Sequence, residues 1–144
     1  MKTAIVLIVL SVCAVGVALL QIRADGPSLA MAAGDAARGA KLYETLPCAS
    51  CHDISKPWPG GDICPNLGNI ASEATRIIRL REYRGRAKDA AAYIRESIVD
   101  PNAYIVPRPN YRQADGQSVM PKNFSETLTP AQLDDLVAFL LTRR

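Results

Sequence analysis

The chain has 144 residues and a mass of 15.5 kDa, room for one folded domain and a tail but not for two cores. A formal charge of +3 and 6% aromatic content, with no RNA-binding or helix-turn-helix pattern, exclude nucleic acid as a partner. The 4 cysteines are too unevenly spaced for a disulfide framework: Cys13 lies in an apolar run, and Cys48 and Cys51 are near neighbours.

In chain order, residues 3–22 carry no charge, the length of about 20 residues that a helix needs to cross a bilayer. Lys2 precedes this segment and Arg23 follows it, a weak bias that keeps the N-terminus inside. Residues 1–24 are therefore expected to be a membrane anchor in contact with lipid through 3–22. A cleaved signal peptide is the competing fate, with Ile22-Arg23-Ala24 or Ala30-Met31-Ala32 as cleavage signals. Cys13 fits an apolar helix residue better than a lipid-attachment site, because Val12 stands where a small residue is wanted. Residues 25–33, with Gly26, Pro27 and Ser28, read as a linker, and the folded domain is expected over 34–144.

The domain begins with a helix over 34–46, Asp35 near its start and Leu42, Tyr43 and Leu46 on one side, stopped by Pro47. Residues 53–68 are rich in proline and glycine and predict a loop. A short helix capped by Ser72 is expected over 72–83, with Ile77, Ile78 and Leu80 among arginines, and another over 87–99, with Tyr93, Ile94, Ile98 and Val99 at helical spacing, ended by Asp100-Pro101. A second irregular stretch covers 101–124. The last helix, over 128–144, has the strongest local signals: Thr129 as N-cap, Pro130 in the first turn, Gln132 completing a capping box, and Leu133, Leu136, Val137, Leu140 and Leu141 on one face. No alternating strand pattern appears, so the domain is expected to be all-α. Its long loops are of the kind that wrap a ligand.

The chemistry concentrates at Cys48-Ala49-Ser50-Cys51-His52, which holds the only histidine of the chain. A zinc centre wants four ligands, and beyond this motif only Cys64 is offered. A thioredoxin-type dithiol wants a strand before it and a helix after it, and the strand is missing. C-x-x-C-H is the attachment signature of c-type haem, in which two thiols bond the two vinyl groups and the histidine reaches the iron. With no second histidine, a sixth iron ligand must come from another residue type. Met1 and Met31 precede the domain, which leaves Met120 in its proline-flanked loop as the expected ligand, against a plain packing role or an open iron.

These motifs, in the order 34–52, 64–71, 93–107 and 118–141, resemble a class I monohaem cytochrome c over residues 34–144. The resemblance implies one covalent haem c in an all-α fold, iron ligation by His52 and Met120, and one-electron transfer rather than catalysis. It further implies that the Pro65 carbonyl orients His52, that Asn123 hydrogen-bonds the Met120 sulfur, and that Gly39 and Tyr43 of the first helix pack against Phe139 of the last. Cys64 departs from the pattern, standing where glycine is common, and is expected to be buried and inert. Trp58, Tyr104, Arg108 and Tyr111 are expected at the haem edge.

More narrowly, residues 96–107 and 120–141 are similar to the membrane-anchored monohaem subunits of quinol-oxidising assemblies, notably alternative complex III. That likeness implies redox partner proteins in a respiratory or photosynthetic membrane complex, with the haem domain on the periplasmic side of a single-pass bacterial anchor. A free-standing anchored or periplasmic shuttle has the same sequence features, and a haem sensor or small peroxidase with an open sixth site is the alternative of another class. The basic run Arg76, Arg79, Arg81, Arg84, Arg86 and Lys88 reads equally as a solvated face and as a docking surface.

Overall fold

The computed structural model describes residues 34–144; the expected anchor, the linker and Cys13 lie outside the described residues. The described residues form six α-helices: α1 (Ala36–Thr45), α2 (Cys48–Cys51), α3 (Ile70–Ile77), α4 (Ala90–Val99), α5 (Phe124–Thr127) and α6 (Pro130–Leu141). Among the described residues there is no strand, and one isolated antiparallel bridge joins Arg112 to Ser118.

The first and last helices form the frame. Asp35 caps α1 by accepting from the Ala37 and Arg38 amides, and Thr129 and Gln132 close a reciprocal capping box at the start of α6. Each cap satisfies amides that the helix itself leaves open, a contribution of about 1 kcal/mol. The two helices meet at Gly39, where a Cβ would lie 1.9 Å from the Asp135 carbonyl oxygen and 2.7 Å from the Phe139 Cβ. Only glycine permits this approach. One turn on, the Tyr43 and Phe139 rings pack at 5.5 Å between centroids. Asp135, 4% exposed, accepts from the Asp35 amide at 2.6 Å and from Arg38 Nε at 2.7 Å and Nη2 at 2.8 Å.

α3 and α4 complete the core. Ile70, Ala71, Ala74 and Ile77 form the buried stripe of α3, while Tyr93, Ile94 and Ile98 form that of α4. The expected helix over 72–83 is displaced. It starts at Ile70, because Ile70 and Ala71 continue the apolar stripe, and its N-cap position is Asn69; Ser72 is exposed inside the helix. It ends at Ile77, and the arginine-rich residues beyond form turns. Those turns are pinned by Glu96 of α4, whose buried carboxylate accepts from Tyr83 Oη at 2.5 Å and from the Arg86 amide at 2.8 Å. The stretch 101–124 is also less irregular than its composition implies, with a 3-10 turn at Pro109–Tyr111, the Arg112–Ser118 bridge and the start of α5.

Two outcomes test this frame. Gly39→Ala should lower the unfolding free energy by about 3 kcal/mol or more, read by denaturant titration, because a methyl group cannot enter a 1.9 Å gap without separating the helices. Asp135 gives a pH signature. Its hydrogen bond to Arg38 and the one from the Asp35 amide hold the carboxyl below its ordinary value. The stabilisation is therefore present above the unfolded value of about 3.9 and is lost as pH falls through the lowered one. Asp135→Asn should flatten that part of the acid limb in a stability–pH profile.

Candidate functional site

Pro47 ends the path of α1 and begins a single helical turn, α2, with Cys48 and Cys51 at its two ends. Residues three apart lie on one helix face; Cys48 is half-buried, and Cys51 is exposed and lines neither hollow described below. His52 leaves the turn in extended conformation while its amide still donates to the Cys48 carbonyl at 2.9 Å. Tyr43 of α1 donates its hydroxyl to the His52 carbonyl, which ties the turn to the frame. Burial pushes the Tyr43 phenol up to about 12, so it remains a donor across the physiological range.

The His52 ring lies 2.6 Å, through Nδ1, from the Pro65 carbonyl oxygen. A carbonyl only accepts, so Nδ1 carries the proton and Nε2 is left with its lone pair free. Burial lowers the imidazole pKa, and the Pro65 carbonyl opposes this only in part. The side chain is thus a neutral, oriented nitrogen donor, and Pro65 stands where the resemblance implied.

His52 and Met120 both line a hollow of about 750 Å³ and an adjoining one of about 380 Å³, each figure including space open to solvent, and the two also share Leu67, Ile98 and Leu140. Through these shared side chains the two compartments form one slot. Its walls are apolar: Ile70 of α3, Tyr93 and Ile94 of α4, and Leu136 of α6 line one compartment or the other. Cys48 borders the smaller compartment, and burial pushes its thiol pKa up. Among the described residues, no three His, Cys, Asp or Glu side chains converge to hold a bare ion. The donor set instead suits a metal that arrives with equatorial ligands of its own, needing one nitrogen and one thioether from the protein.

The remaining expected residues divide. Trp58, Tyr104 and Tyr111 line the larger compartment, whereas Arg108 is exposed and does not. Asn123, for which a plain loop role is the alternative to a bond with the Met120 sulfur, stands apart from the slot. It is exposed at the N-cap of α5, lines neither compartment, and makes no side-chain hydrogen bond to Met120; its backbone carbonyl accepts from the Glu126 and Thr127 amides instead. Met120 is held by its own amide, which donates to Ser118 Oγ at 3.2 Å. Cys64 is buried in the slot wall, as expected, and burial together with the Cys51 thiol beside it pushes its pKa up to about 12. The α4 wall was visible in sequence as an apolar stripe, but nothing local marked it as lining a site.

A family model described as Cytochrome c matches residues 36–144. No curated protein matches the chain.

Burial raises the Cys64 pKa, which lowers its thiolate population, and also limits access of reagents to the sulfur. Alkylation of Cys64 in the native chain, followed by peptide mass mapping, should be slower than in urea by about a hundredfold or more. Equal rates would mean that the thiol is accessible and unperturbed.

Proposed function

The chain belongs to the cytochrome c family, carries a covalent haem c and serves in electron transfer; from that membership we propose a membrane-anchored one-electron carrier with iron held between His52 and Met120. The observation that carries this reading is the shared slot: an oriented imidazole and a thioether line the same apolar space, and the Cys48–Cys51 turn stands at its edge.

The residues present fit the group. Cys48 and Cys51 would hold it through thioether bonds to its vinyl groups, His52 Nε2 and the Met120 sulfur would ligate its iron, and the apolar walls would enclose it. When bound, the haem supplies a reversible one-electron change at its iron. The chain supplies everything around it. Pro65 fixes the imidazole tautomer and raises the basicity of its free nitrogen. The walls from α3, α4 and α6 exclude water, so little solvent reorganises when the charge changes. A thioether ligand favours the reduced state and raises the potential relative to a second imidazole. Trp58 and Ile63, the latter 63% exposed, lie where the larger compartment opens, which is where an electron would leave or enter.

The anchor would be residues 3–22, whose uncharged run of about 20 residues is long enough to span a bilayer. The likeness to subunits of quinol-oxidising complexes supports a place beside a membrane donor, with the haem domain on the periplasmic side and redox proteins as partners. Tethering keeps the carrier at high effective concentration there.

Met120 provides the test. The ferric wild type should show the far-red charge-transfer band of a methionine–iron bond, and Met120→Ala should remove it, admit cyanide and lower the potential. An unchanged spectrum and potential in Met120→Ala would refute the ligand assignment. Replacing both Cys48 and Cys51 with alanine should release the haem to acid-acetone, and native protein should need detergent, not carbonate, to leave the membrane.

A further inference from the structure

We propose that Tyr111 is a positioning residue that holds Met120 in place by tying the methionine loop to the loop that orients His52. The inference rests on the ligand reading above and concerns a contact that the reading does not use.

Tyr111 is 3% exposed, and its hydroxyl lies 2.8 Å from the carbonyl oxygens of both Pro59 and Gly61, about 50 residues back in the chain. One phenolic proton is shared between two acceptors of a loop without regular structure. The Pro59 carbonyl also accepts from the Asn66 amide at 3.0 Å, and Asn66 follows the proline that holds the His52 ring. On the other side, the Tyr111 carbonyl accepts from the Val119 amide at 3.3 Å. That bond and the Arg112–Ser118 bridge close a small loop that turns at Gly116, where φ is +81°. Met120 is the next residue, and its loop is secured further by the Ser118 amide donating to Asn102 Oδ1 at 2.8 Å.

The path from one axial ligand to the other therefore runs from His52 to Pro65, through the 59–66 loop to the Tyr111 hydroxyl, and from the Tyr111 carbonyl to Val119 and Met120. Segments with few buried contacts open first. Removing the phenolic bond weakens the closed position of the methionine loop by one hydrogen bond, which multiplies the open population by about two- to tenfold. Because exogenous ligands reach the iron only when the sulfur has left, cyanide association reads this population directly.

The experiment uses the full haem-loaded chain in detergent. Tyr111→Phe keeps the ring in the wall and removes only the hydroxyl; its ferric cyanide association rate should rise by about two- to tenfold over wild type. In a Met120→Ala background the same change should have no effect, since there is no sulfur to displace. Tyr83→Phe removes a phenol bonded to Glu96 and outside the slot, and it should leave the cyanide rate at the wild-type value even where thermal unfolding shows a loss of stability. A wild-type rate in Tyr111→Phe, an acceleration that persists in the Met120→Ala background, or an equal acceleration in Tyr83→Phe would each overturn the proposal. If the wild type lacks the methionine band and Met120→Ala binds cyanide no faster than wild type, the ligand reading itself fails and takes this inference with it. A wild type that has the band, beside an unresponsive Tyr111→Phe, fails the inference alone.

Discussion

Two helix backbones in direct contact at Gly39 set the position of everything else in the domain. Because no side chain separates α1 from α6 there, Tyr43 is brought against Phe139 and its hydroxyl reaches the His52 carbonyl. The turn that carries both thiols follows α1 after two residues, so its placement is inherited from the helix contact. From the other partner, Leu136 and Leu140 of α6 enter the slot walls. Asp135 locks the register of the pair with three hydrogen bonds, which offset the cost of burying its charge. Frame and site are a single construction.

The basic run beyond α3 shows how charge is divided between structure and surface. Arg76 bonds Glu73 at 2.8 Å and stacks over Trp58, 5.5 Å from the ring centroid, so it braces the slot mouth. Arg86 lies between Glu96 and Asp100 at 3.7 and 3.8 Å, where solvent exposure keeps each pair weak. Glu96 matters more than either pair, because its buried carboxylate organises the turn through Tyr83 and a backbone amide. Arg79, Arg81, Arg84 and Lys88 make no ion pair among the described residues, and Arg84 donates to the Arg81 carbonyl at 2.5 Å.

Features encoded within a few residues were legible in the sequence, and those encoded across the chain were not. The capping box at Thr129 is a local pattern and is found where the sequence places it, and Asp35, expected only near the start of the first helix, is its N-cap. Pro65 and the Gly39, Tyr43 and Phe139 contact came from the resemblance, and the structure brings these residues together as implied. The Ser72 cap failed because a serine signal was weighed without the apolar stripe that Ile70 and Ala71 extend; the real cap position, Asn69, spends its carboxamide on the Trp58 amide. Asn123 lies exposed at the start of α5, since proximity in sequence to Met120 does not aim a side chain at it. The Tyr111 hydroxyl bonds and the Glu96 anchor join segments with no mutual signature, so single-sequence reading had no purchase on them.

The contact between Asp35 and Asp135 spans 100 residues, and this separation orders events in time. Closing a loop of that length costs roughly 4 kcal/mol of chain entropy before any contact repays it. A polypeptide made from its N-terminus presents α1 and the cysteine turn long before α6 exists, and topologies with such distant contacts condense late. During that interval Cys48, Cys51 and His52 belong to an open chain, accessible to attachment chemistry from every side. Docking of α6 completes the frame around them, so the thiols are most open to bond formation before that helix packs.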